Sequence, residues 1–147
     1  MPEQNNLSPV ISHETIEPIT VLLIDDSQVV RQMVAPILKS LGLNIVGEAS
    51  NGQEGLALYE KLMPNLVFLD IIMPLMSGIE VLKRIKEINP QAIVVILTSI
   101  ADREEVLKSK RAGAFTYILK PSDRQKFERV VSTIKQKLAK DRENKYD

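Results

Sequence analysis

Short apolar runs alternate with longer amphipathic stretches five times between about residues 20 and 140, and this alternation limits the fold more than any other feature. The short runs are rich in β-branched residues and predict strands near Thr20–Ile24, Asn44–Glu48, Leu66–Leu69, Ile93–Leu97 and Thr116–Leu119. Strands that alternate with helices favour a parallel sheet with helices on both faces. We therefore expect an α/β, doubly wound five-stranded parallel sheet flanked by five helices, with strand order 2-1-3-4-5.

The amphipathic stretches carry apolar residues three and four positions apart, as helices do. Ser27, Ser77 and Asp102 precede three of them and are plausible N-caps. Pro36 lies inside the first helical pattern, where it removes a hydrogen bond. The proline predicts either a kink or a helix that begins later.

Composition restricts the class of protein. The 147 residues suit one domain, and 19 basic against 19 acidic side chains argue against a chain built to coat nucleic acid or an anionic membrane. Cysteine is absent, no apolar run could cross a bilayer, and the N-terminus does not resemble a secretory signal. We expect a cytoplasmic protein with a flexible arm at 1–18, one domain at 19–140 and a polar tail at 141–147.

Three carboxylates are expected at one corner of the sheet. Asp25 and Asp26 follow the first strand, Asp70 ends the third, and these strands are neighbours in the expected order. Converging carboxylates without cysteine or histidine select a hard cation, Mg²⁺ rather than Zn²⁺. The single histidine, His13, lies in the arm. Such a site suits phosphoryl transfer to a carboxylate.

Two further strands end at the same rim. Thr98 ends the fourth strand and Lys120 follows the fifth. Their hydroxyl and ammonium groups could bind phosphoryl oxygens. Each alone has an ordinary explanation, since a strand-end lysine is usually solvated and a threonine there often caps a helix. Five polar groups at one rim are harder to explain in that way.

The chain resembles the receiver domain of bacterial two-component response regulators, the CheY-like fold, from about residue 20 to 138. The motifs are D-D-S, V-G-E-A-S-N-G-Q-E-G-L, L-D-I-I-M-P-L-M-S-G, L-T-S and A-G-A-F-T-Y-I-L-K-P. The resemblance implies that Asp70 is the phosphoacceptor. It also implies Mg²⁺ held by Asp25, Asp26, Asp70 and the backbone carbonyl of Ile72, with Thr98 and Lys120 binding the phosphoryl group.

The resemblance further implies an output surface. Tyr117 falls at the family's aromatic switch position, which acts together with Thr98, and Lys120–Pro121 would be a cis peptide. A downstream protein would then bind the face made by the fourth helix, fifth strand and fifth helix. In one branch of the family, two aspartates on that face form a salt-bridged dimer. Here Phe115 and Thr116 stand in their place, so we expect a monomer.

The leading interpretation is a stand-alone switch. It would accept its phosphoryl group from a sensor histidine kinase or a histidine phosphotransfer protein, and would catalyse only its own phosphorylation and dephosphorylation. We expect no DNA-binding output domain, because the last predicted helix leads only to a short polar tail. A phosphatase would need a second acid at the position of Ile72, and a pseudo-receiver would usually have lost a site residue.

Two isoleucines suggest a slow loss of phosphate. In this family, the positions of Ile72 and Ile100 flank the path of the attacking water. Neither side chain can orient a water, so we expect a long-lived phosphorylated state. The alternative is that both isoleucines point away and only pack.

Overall fold

A computed structural model describes residues 18–99, 102–120 and 123–145. Within these ranges five strands form one parallel sheet, in the order β2-β1-β3-β4-β5. The strands are β1 Thr20–Ile24, β2 Asn44–Ala49, β3 Leu66–Asp70, β4 Ile93–Thr98 and β5 Thr116–Leu119. The helices are α1 Gln28–Ser40, α2 Gly52–Leu62, α3 Gly78–Ile88, α4 Arg103–Arg111 and α5 Arg124–Lys145. The predicted fold class, strand order and helix positions are confirmed.

The three predicted N-caps are also confirmed. The Ser27 side chain accepts a hydrogen bond from the backbone N–H of Val30, and Ser77 and Asp102 cap α3 and α4 in the same way. Three strands extend one residue beyond their predicted ends. As a result, Asp70 and Thr98 are the last residues of β3 and β4, and their side chains lie at the carboxyl edge of the sheet.

The sheet separates two apolar layers, because successive strand residues point to opposite faces. Val21, Leu23 and Phe68 face α1 and α5, where the Phe68 and Phe127 rings lie 6.1 Å apart. Leu22 and Leu69 pack on the other side, toward α2 and α3. The three central strands are almost completely buried, which fixes the positions of their carboxyl ends.

One alternative for the first helix is excluded. Helix α1 begins at Gln28 and contains Pro36, so a later start of the helix, one of the two alternatives that the proline raised, is wrong. Helix α5 continues to Lys145, so the polar residues 141–145 are helical. Most of the N-terminal arm, including His13, lies outside the described residues, as do Ile100, Pro121 and the expected cis peptide. In the described part of the chain, no helix is long and apolar enough to span a bilayer.

Candidate functional site

The three predicted carboxylates lie together. Strands β1 and β3 pair directly, with Ile24 opposite Leu69, so the residues that follow or end them are neighbours. One carboxylate oxygen from each of Asp25, Asp26 and Asp70 lies within 4.8 Å of the other two. Asp25 and Asp70 are buried, whereas Asp26 is exposed. The expected acidic corner is therefore present and open to solvent on the side of Asp26.

Asp25 is bonded at each of its four polar atoms. Its N–H donates to the carbonyl of Ala49 (3.0 Å), and its own carbonyl accepts from Nη1 of Arg31. Oδ1 accepts from the N–H of Ser27 (2.9 Å) and Oδ2 from Nζ of Lys120 (3.0 Å). Burying a carboxylate is costly unless it is paired, and these bonds offset that cost. Asp25 is thus the rigid member of the corner.

Lys120 joins the corner from the end of β5. Its Nζ lies 3.0 Å from Oδ2 of Asp25 and 3.7 Å from Oδ1 of Asp70, with its side chain only 17% exposed. Its backbone N–H donates to the carbonyl of Thr98 (2.6 Å), which ties the ends of β4 and β5 together. Thr98 is fully buried beside these groups. A positive charge therefore faces the buried carboxylates.

The environment of Asp70 raises the pKa of its carboxyl to about 6 from an ordinary value of 3.8. Burial is the largest cause, and repulsion from Asp25 and Asp26 adds to it. The charge of Lys120 and a hydrogen bond from the N–H of Ile72 (3.3 Å) oppose the rise in pKa. The ionised form of Asp70 is therefore disfavoured, and a nearby cation would stabilise it.

The loop after β3 approaches Asp70 closely. The N–H of Gly78 donates to the carbonyl of Ile71 (2.8 Å). A Cβ at Gly78 would lie 2.1 Å from the backbone oxygen of Asp70, a distance that no side chain permits. Ile72 in this loop is 52% exposed, so it does not belong to the core. Glycine at position 78 is what lets the loop fold back onto the end of β3.

Tyr117 lies away from the acidic corner. It is 41% exposed and lines a groove between α4, β5 and α5, together with Leu107, Lys110 and Lys126. Thr98 is opposite Leu119 in the β4–β5 pairing, two residues after Tyr117. The predicted switch residues therefore lie on neighbouring strands, but only Thr98 is at the corner.

The donor set fits a hard divalent cation. The corner offers carboxylate oxygens, and the chain has no cysteine to compete with them. Oxygen ligands with open positions are what Mg²⁺ prefers. Sequence reasoning missed Arg31, which bonds the backbone of Asp25. The feature of the sequence that could have indicated its role was the position of a basic residue near the start of the helix that follows the acidic pair.

The chain matches the family model of the response regulator receiver domain over residues 21–132 and belongs to that family. It is 37% identical to the chemotaxis protein CheY of Treponema pallidum over 137 residues, which are 91% of this chain and 95% of that protein. It is also 37% identical to CheY of Thermotoga maritima over 101 residues, 69% of this chain and 84% of that one.

Solved structures show the same fold. A chain of the CheX–CheY–BeF3–Mg²⁺ complex from Borrelia burgdorferi is 35% identical, with a TM-score of 0.75 over 79% of this chain and 89% of that chain. A CheY-like receiver domain from Methanospirillum hungatei is 29% identical, with a TM-score of 0.76 over 87% and 99%. The resemblance found in the sequence motifs is confirmed.

Proposed function

We propose that this chain is a stand-alone receiver that accepts a phosphoryl group on Asp70 from a phosphohistidine. The donor would be a sensor histidine kinase or a histidine phosphotransfer protein in the cytoplasm. The observation that carries the proposal is the position of Asp70 at the carboxyl edge of the sheet. Its Oδ1 lies 3.7 Å from Nζ of Lys120. Two further carboxylates lie within 4.8 Å, as a cation site requires.

The transfer needs an ionised nucleophile and charge stabilisation. A carboxylate oxygen of Asp70 attacks phosphorus, the P–O bond forms, and the electron pair of the broken P–N bond returns to the donor imidazole. The pKa of about 6 leaves Asp70 mostly ionised at neutral pH. Lys120 offers positive charge to the phosphoryl oxygens, and the Thr98 hydroxyl can donate a hydrogen bond to one of them.

In this proposal Mg²⁺ is held by Asp25, Asp26, Asp70 and the backbone carbonyl of Ile72. When bound, the ion neutralises charge on the phosphoryl oxygens. Asp25 is already bonded to Lys120 and Ser27, so its carboxylate needs little reorganisation. The membership of the chain in a family that binds Mg²⁺ at such a pocket supports this assignment.

Output would pass through the surface around Tyr117. Phosphorylation replaces the carboxylate charge of Asp70 by a phosphoryl group with a charge near −2, and this group would draw the Thr98 hydroxyl toward it. The space left on the β4 side would let Tyr117 turn inward from its exposed position. The groove that it lines also holds Leu107, Lys110 and Lys126, so a downstream protein would detect the change there. We propose a monomer that binds neither nucleic acid nor membrane directly.

The phosphorylated state would persist for a long time. Ile72 is two residues after the acceptor and half exposed, so its side chain can cover the approach of water but cannot orient it. Ile100, which follows Thr98 by two residues in the sequence, is proposed to act in the same way. A persistent state suits a sustained signal or a phosphorelay.

Incubation with a small phosphodonor tests the proposal. With phosphoramidate and Mg²⁺, intact-mass spectrometry should show one added phosphoryl group on the wild type. Asp70→Asn should remain unmodified, and Asp26→Ala should react much more slowly. Modification that survives in Asp70→Asn at the wild-type rate would contradict the assignment of Asp70.

A further inference from the structure

Arg31 occupies an unfavourable position for a cation. It lies three residues after the start of α1, close to the positive end of the helix dipole, and the first turn has no acidic residue to balance it. Its side chain is nevertheless only 15% exposed. Neither helix propensity nor solvation explains a buried guanidinium at the N-terminal end of α1. The hydrogen bonds of Arg31 must therefore explain its position.

The guanidinium bridges two strands at their carboxyl ends. Its Nη1 donates to the backbone carbonyl of Asp25, directly after β1. Its Nε donates to Oε1 of Glu48 on β2 at 3.1 Å. Glu48 pairs with Leu23 in the β1–β2 register, so the anchor belongs to the sheet itself. Glu48 therefore fixes the position of the Arg31 guanidinium, and the guanidinium in turn fixes the backbone carbonyl of Asp25.

The carbonyl that Arg31 binds belongs to the peptide group between Asp25 and Asp26. Because a peptide group is planar, fixing its oxygen also fixes the direction of the N–H and Cα of Asp26. Asp25 has other restraints, through Ser27 and Lys120, whereas Asp26 is exposed. The orientation of this peptide plane therefore decides where the Asp26 carboxylate is presented.

We propose that Arg31 is a positioning residue for the cation site, acting on Asp26 through the Asp25–Asp26 peptide group. This inference rests on the proposed function, since it takes Asp26 as a cation ligand. A planar guanidinium can donate to a carbonyl and a carboxylate at once in fixed geometry, which the single ammonium of a lysine does not reproduce. Groups that orient ligands typically change metal affinity by about 10- to 100-fold when they are lost.

Magnesium titration of three variants tests the inference. Arg31→Met removes both bonds, and Arg31→Lys keeps the charge without the fork. Arg84→Met is the matched control, because Arg84 makes an exposed Arg–Glu pair with Glu80 on α3 at 3.1 Å, away from the corner. Isothermal titration of the unphosphorylated proteins should show about tenfold weaker Mg²⁺ binding for Arg31→Met. Arg31→Lys should be intermediate, and Arg84→Met should stay within about twofold of wild type.

Amide hydrogen exchange without Mg²⁺ gives a second readout. In Arg31→Met, the Ser27 amide that bonds Asp25 should exchange at least several-fold faster, while the β3 amide of Phe68 reports global stability. Equal Mg²⁺ affinity in wild type and Arg31→Met, with both amides changing together, would show that Arg31 only stabilises the fold and would overturn the inference. A wild type that does not bind Mg²⁺ would overturn the proposed function together with it.

Discussion

Replacing Asp70 by asparagine should stabilise the metal-free domain at neutral pH. The native pKa of Asp70, about 6, exceeds its ordinary value of 3.8, so the folded state binds the proton more tightly than the unfolded state. The contribution of Asp70 to stability is then largest below pH 4 and is lost as the pH rises through 6. The full shift corresponds to about 3 kcal/mol. Because the corner is open to solvent and a neutral amide cannot form an ion pair with Lys120, we expect a gain of about 1 kcal/mol.

Urea unfolding in EDTA at pH 4, 5, 6 and 8 measures this effect. The stability of Asp70→Asn should equal that of wild type at pH 4 and exceed it at pH 8, with the difference appearing between these values. Asp141→Asn is the control, because Asp141 is an exposed aspartate on α5 that pairs with Lys137 at 3.3 Å. It should change stability by less than about 0.5 kcal/mol at any pH. A less stable Asp70→Asn at pH 8, or a difference that does not vary with pH, would refute the reasoning.

Three other substitutions have defined outcomes. Gly78→Ala should unfold the loop or the domain, with a loss above about 3 kcal/mol in urea unfolding, because its Cβ would meet the Asp70 carbonyl at 2.1 Å. Leu75→Asn should raise the free energy of unfolding by about 0.5 kcal/mol in the same assay. Leu75 is 98% exposed, so its side chain adds little packing, and its φ of 73° is a conformation that asparagine tolerates better than leucine. Lys120→Ala should keep the far-ultraviolet circular dichroism spectrum of the wild type, but phosphorylation should no longer change its affinity for a purified downstream protein. An affinity change as large as that of the wild type would show that Lys120 is only structural.

The carboxyl-edge residues were predictable from sequence for a physical reason. In a parallel sheet, the ends of neighbouring strands meet at one edge, so Asp25, Asp70 and Lys120 could be placed together from strand positions alone. Predicting that these three residues are neighbours requires only the strand order. A five-stranded doubly wound sheet allows few such orders. The acidic corner could therefore be predicted before any side-chain geometry was known.

Contacts that depend on helix rotation were not predictable. The bond from Arg31 to the Asp25 carbonyl requires the rotation of α1 and a particular rotamer, neither of which follows from apolar periodicity. The left-handed conformation at Leu75 was missed because leucine does not signal it, as glycine or asparagine would. The pKa of Asp70 likewise depends on burial and on charges from three separate segments.

Reductive trapping of the phosphorylated protein tests the central claim most directly. Borohydride reduces an aspartyl phosphate to homoserine, so peptide mass spectrometry can locate the modified residue after treatment with phosphoramidate and Mg²⁺. The site geometry predicts homoserine at position 70 and aspartate unchanged at positions 25 and 26. Homoserine at either of those two positions, or phosphate on a serine, threonine or histidine with Asp70 intact, would contradict the assignment of Asp70 as the phosphoacceptor.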